Sequence, residues 1–108
     1  MKRHRFYSSI ILFSGLLMAT LSTAQAADPA RGKELYAANC TACHTKLMNG
    51  DPTAIHTRPK SIIHSYDSLQ KRVRFCESMT GAQWGDNEIN DVVAYLNQDF
   101  YKFKEKQP

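Results

Sequence analysis

Apolar residues recur at helical spacing in three stretches of the chain, and no stretch shows the strict alternation of a half-buried strand. The first stretch opens on Asp28 and Pro29, an acceptor side chain ahead of a residue preset for the first helical position. It runs over 30–39 with Leu35, Tyr36 and Ala38 as its apolar points. The second starts at Asp67 and Gln70, spaced as a capping box, and reaches about Glu77 with Leu69, Val73 and Cys76 along one face. The third covers 86–101, where Ile89, Val92, Val93, Leu96 and Phe100 form the stripe. Lys102, Lys104 and Lys106 follow at the end where cations are favoured. Residues 81–85, bounded by two glycines, read as a turn. Between the first two stretches lies 45–65, with Gly50, Pro52 and Pro59 among Asn, Asp, Thr and Ser and no sustained period. A wrap that long in a compact domain is functional or is packed around something. The expected fold class is all-α.

The first 26 residues follow another pattern. Lys2, Arg3 and Arg5 precede an apolar run over 10–21, and Ala24-Gln25-Ala26 places small residues where a signal peptidase reads them. The run is too short for a membrane-spanning helix, which needs about 20 residues. We expect 1–26 to be a secretory signal peptide and 27–108 to be one domain, exported to the periplasm and not stably inserted in a membrane. This changes the meaning of the charge. The whole chain is formally +4, as expected of a nucleic-acid or membrane-surface binder. Three of its fourteen basic residues lie in the leader, leaving eleven against ten acidic ones, so nucleic acid is dropped as a partner.

A domain this small usually supplements its core with disulfides, a metal or a cofactor. Its three cysteines, Cys40, Cys43 and Cys76, cannot all pair within one chain. Cys40-Thr41-Ala42-Cys43-His44 has the C-x-x-C-H spacing of covalent haem attachment: two thiols reach two vinyl groups of one porphyrin while the next side chain comes up beneath the iron. A zinc site would want a second ligand pair at matched spacing, and a thioredoxin-like motif would want a strand–helix–strand context; neither is present. The reading is one haem c, held by Cys40 and Cys43, with His44 as proximal iron ligand.

With that motif in place, residues 27–108 resemble a small class I-type cytochrome c along nearly their whole length. Gly32 and Tyr36 stand eight and four residues before Cys40, as the family's glycine and aromatic do. Asn87-Glu88-Ile89 leading into Val92-Val93-Ala94-Tyr95-Leu96 matches its last helix. The resemblance implies about three helices wrapped around the haem, the terminal ones crossing closely at Gly32 near Tyr95. Arg58-Pro59-Lys60-Ser61-Ile62 is a weaker echo of the proline loop that orients the proximal histidine.

For the sixth ligand the resemblance favours Met79, which stands sixteen residues before Tyr95 as the family's distal methionine does. Thr80 replaces the usual following proline, and Cys76 lies one turn away, so Cys76 is the alternative. Some small cytochromes of sulfur and nitrogen metabolism use His/Cys ligation, and Trp84 and the 95–103 ending are similar to theirs. His56 and His64 could give a bis-histidine site but read better as surface or propionate-contacting residues; Met48 reads as loop filler. Lys71, Arg72 and Arg74 form a solvated helix face that could dock an acidic redox partner or meet haem propionates.

The expected function is single-electron transfer between redox proteins, without catalysis by the chain itself. Two other functions stand beside it. One is a haem protein with a thiolate or displaceable distal ligand, acting in sulfur or nitrogen metabolism or binding a small gas. The other is a haem subunit of an oxidoreductase complex.

Overall fold

A computed structural model describes residues 15–17 and 26–104. Most of the expected leader, and Lys106, lie outside the described residues. The described residues are all-helical, and no helix among them is long and apolar enough to cross a membrane.

Helix α1 spans Pro29–Asn39. Its cap is the expected one: an Asp28 carboxylate oxygen accepts from the amides of Ala30 at 3.0 Å and Arg31 at 3.2 Å, satisfying donors that the helix itself cannot. Cys40 breaks the helix and at once caps the next, α2, Thr41–Leu47. The chain reverses at Asn49 and Gly50, both with positive φ, and passes through a short 3-10 turn at Ala54–His56.

Helix α3, Tyr66–Thr80, starts from a different cap than the one predicted. The box is Ser65 with Ser68: each hydroxyl oxygen accepts from the other residue's amide, at 3.1 and 3.0 Å. Asp67 is thereby left to pair with Lys71 at 2.8 Å, and Gln70 to donate to Asn90 at 3.1 Å. The helix runs one turn beyond the expected Glu77 and stops at Gly81, whose φ of 69° suits a left-handed cap.

Helix α4, Asp86–Leu96, begins where Glu88 reaches back to the Gly85 amide at 3.0 Å. The predicted helix to 101 is interrupted: Asn97–Tyr101 is a π-turn, closed by the Lys102 amide donating to the Asn97 carbonyl at 2.7 Å. The Asn97 side chain then clamps the Phe103 backbone at both ends, 2.7 and 2.9 Å. Four α-helices are therefore present among the described residues where about three were expected, the additional one being α2.

Helix α4 is the centre of the domain, buried without a break from Asp91 through Leu96. Leu69 and Val73 of α3 and Tyr36 of α1 pack against Ile89, Val92, Val93, Tyr95 and Leu96. The terminal helices cross at Gly32, where a Cβ would collide with the Asp91 carbonyl and the Val92 amide. The close approach is thus about one turn before Tyr95, which instead meets Tyr36, ring centroids 5.6 Å apart. Buried Asp91 locks the crossing by accepting from the Asp28 amide at 2.8 Å, beside an Arg31 guanidinium that also reaches Glu88 at 3.1 Å.

Backbone cannot swing aside as a side-chain tip can. Gly32→Ala is therefore expected to cost at least the roughly 1–3 kcal/mol typical of overpacking. The measurement is thermal unfolding of the variant against the wild type; equal melting temperatures would refute the crossing.

Candidate functional site

Helices α1, α2 and α3 with the loop 48–65 line an open cavity of about 600 Å³. That size belongs to small-molecule and cofactor sites. Leu69, Val73, Val92 and Leu96 give it an apolar floor that is also the domain core, and Trp84 closes one side, its amide donating to Glu77 at 2.9 Å.

The C-x-x-C-H cysteines and histidine all line this cavity. Cys40, at the corner between α1 and α2, is half-buried, and Cys43 is exposed one helical turn on. Burial, with smaller contributions from Cys76 and Cys43, pushes the Cys40 thiol up to about 11. The three cysteines are unbridged. From α3, Cys76 and Met79 line the same cavity, Cys76 half-buried and Met79 74% exposed.

His44 projects from α2 with its two nitrogens in different surroundings. Nδ1 lies 2.7 Å from the Tyr36 hydroxyl, and the Pro52 carbonyl also faces the ring. Nδ1 is the nitrogen engaged by a side chain among the described residues. Burial holds this imidazole below its ordinary value; Pro52 opposes that effect and the Arg72 cation adds to it. A neutral imidazole with one nitrogen engaged and the other free is the form that ligates a metal. The proline beside the histidine is Pro52. Pro59, the proline expected there, lies exposed in the following bend.

His56 has a place that spacing does not reveal. The 3-10 turn carries it inward, where Nε2 lies 2.8 Å from the Tyr36 hydroxyl and Nδ1 2.8 Å from that of Tyr101. Phe100 stacks on its ring at 5.2 Å. Only its position between aromatic residues far apart in sequence could have marked it. His64 stays exposed at the approach to α3, its amide donating to Ser68 at 3.1 Å.

The basic residues of α3 divide. Lys71 pairs with Asp67 at 2.8 Å and Arg74 with Asp86 at 2.9 Å, so both are offset by acids of this chain. Arg72 packs over the Phe75 ring at 5.0 Å and, with Arg58, lines the cavity. A flat apolar group with two thiol-reactive positions, a metal centre and anionic edges fits this set of donors and walls.

Comparison with known proteins names the class. The family model described as cytochrome c oxidase, cbb3-type, subunit III matches residues 27–96, and the chain belongs to this family of c-type cytochromes, whose cofactor is covalently bound haem c. A cytochrome c6 from Synechocystis is 30% identical over 93 residues, spanning 80% of this chain and 78% of the relative. No solved structure matches at a significant level.

Burial, more than the neighbouring His44 and Arg58, lowers His56 from 6.5 to about 4. Between those values the unfolded chain binds a proton that the folded chain refuses. This contribution to stability is therefore complete above pH 6.5 and declines as pH falls towards 4. Urea unfolding across this range should show the decline, and His56→Gln should flatten it.

Proposed function

We propose that the protein is a periplasmic monohaem cytochrome that carries single electrons between redox proteins. The observation that carries this reading is the convergence on one apolar cavity of Cys40, Cys43 and His44 from one wall and Cys76 and Met79 from another. In this reading Cys40 and Cys43 hold the haem covalently, and His44 is the proximal ligand through Nε2. When bound, haem supplies an iron that cycles between ferric and ferrous.

The chain's own contribution is to bind, shield and tune. The apolar floor of Leu69, Val73, Val92 and Leu96 excludes water, which strengthens every electrostatic interaction at the site. Arg58 and Arg72, lining the cavity, offer cations to propionate groups. They also bring positive charge to the cavity wall, which favours an acidic partner docking at its mouth. Lys71 and Arg74, being paired, contribute less to that field.

Residues 1–26 fit the export of such a protein. Ala26 and Ala27 are exposed and outside any helix, just ahead of the Asp28 cap, so cleavage between them would leave the helices and their caps whole.

Met79 is the distal ligand in this reading. Its side chain is unbranched with three rotatable bonds, and its exposure shows that no packing holds it away from the cavity. A second reading, with Cys76 as distal ligand, is favoured by the half-buried position of Cys76 on the cavity wall. A thioether raises the potential, whereas a thiolate adds negative charge and stabilises ferric iron. The purified oxidised protein should show the near-infrared charge-transfer band of a methionine–iron bond. That band should vanish in Met79→Ala and survive in Cys76→Ser. A low potential without the band, rising in Cys76→Ser, would establish the second reading instead.

The carrier function has its own measurement. Potentiometric titration should follow a one-electron curve, and the reduced protein should not bind carbon monoxide readily. Ready binding would move the function to a gas-binding or catalytic haem.

A further inference from the structure

The π-turn at Asn97–Tyr101 brings Phe100 and Tyr101 onto a histidine more than forty positions earlier, and that histidine also meets the Tyr36 hydroxyl next to His44. The result is an unbroken polar chain through the aromatic interior: His44 Nδ1, Tyr36 Oη, His56 Nε2, His56 Nδ1, Tyr101 Oη. Its three hydrogen-bonded steps are 2.7, 2.8 and 2.8 Å. Around it pack Phe100, against His56, and Tyr95, against Tyr36.

We infer that Tyr36, seated by His56 and Tyr101, is a positioning residue that accepts the hydrogen bond from Nδ1 of His44 and so sets the orientation and basicity of the proximal imidazole. The inference rests on His44 being the iron ligand. A ligating Nε2 must offer its lone pair, so Nδ1 carries the ring proton and acts as donor. The Tyr36 oxygen is the acceptor at 2.7 Å. The Tyr36 proton then has two candidate acceptors, His56 Nε2 at 2.8 Å and the Pro52 carbonyl at 3.2 Å. The closer is His56, whose ring is engaged at both nitrogens and can accept at one while donating at the other. Donation by Tyr36 to Nε2 leaves the His56 proton on Nδ1, donated to Tyr101.

All donors in this arrangement point away from His44. Each bond polarises the next, and the Tyr36 oxygen becomes a stronger acceptor than an isolated phenol. An acceptor at the outer nitrogen makes the ligating nitrogen more electron-rich, which favours ferric iron. The far end of the chain has a defined effect as well. Without the Tyr101 oxygen, the His56 proton has its best remaining acceptor on the Nε2 side. His56 would then donate to Tyr36 and compete with His44 for the same oxygen.

The test uses the haem-loaded protein with two conservative variants, Tyr36→Phe and Tyr101→Phe. Two quantities are read: the midpoint potential, and the solvent exchange rate of the His44 Nδ1 proton by NMR. Tyr36→Phe should shift the potential positive and speed exchange; Tyr101→Phe should do the same to a smaller degree. If Tyr36→Phe does not fold, Tyr101→Phe carries the test alone. Wild-type potential and exchange in the variants, with only the melting temperature lowered, would reduce the chain to packing and overturn the inference. A negative shift in Tyr36→Phe would also overturn it, making the Pro52 carbonyl the operative acceptor. Failure of the underlying reading is separately visible: the wild-type spectrum would lack histidine ligation of the iron, and the inference would fall with it.

Discussion

The approach of α1 to the backbone of α4 at Gly32 is the constraint on which the other parts depend. Because no side chain separates the two helices there, Asp91 can reach the start of α1 and hold it by the Asp28 amide and the Arg31 guanidinium. One turn further along α1, Tyr36 is thereby pressed against Tyr95 and delivered, hydroxyl first, to His44. One turn beyond Tyr36, Cys40 ends α1 and turns the chain into α2. A contact between two backbones, without chemistry of its own, decides where the chemical groups stand.

Much of this is legible in the amino-acid pattern. The stripes of α1, α3 and α4, the Asp28 cap and the turn at 81–85 all express local rules, and local rules survive folding. The C-x-x-C-H spacing is also local, and it points to the family that the comparisons support. The features that escape the pattern are long-range or offset by a residue or two. Helix α2 has no apolar stripe, since its residues face a cavity and solvent rather than another helix, so no period announces it. The α3 cap moves to Ser65 because two serines can satisfy each other's amides, a reciprocity that composition alone does not rank above Asp67 and Gln70. Pro52 rather than Pro59 neighbours the histidine because the reversal at Asn49 and Gly50 brings the chain back at once. By spacing alone His56 is a ligand or a surface residue. Its partners, Tyr36 and Tyr101, lie 20 and 45 positions away, beyond any spacing rule.

Charge tells a similar story. Three basic residues on one helix read as one patch, yet two of them are matched by Asp67 and Asp86, and the third lies over an aromatic ring at the cavity. The charge left unmatched by these pairs belongs to the cavity edge, shared by Arg72 and Arg58, which come from different parts of the chain. A linear cluster of charge is therefore a poor guide to the field a partner meets, and the helix face that carries it is better understood as self-neutralised.

The π-turn adds a further kind of information. Its hydrogen-bonded ring is one residue longer than an α-turn, so it rotates the phase of the residues beyond it by about 100°. Phe100 and Tyr101 lie within this turn and meet His56 from it. The segment Asn97–Tyr101 shortened by one residue would keep its aromatic character and could still wind as a helix, yet it would present a different pair of side chains to the interior. Here the length of a segment is itself a structural instruction, as binding as the identity of any residue within it.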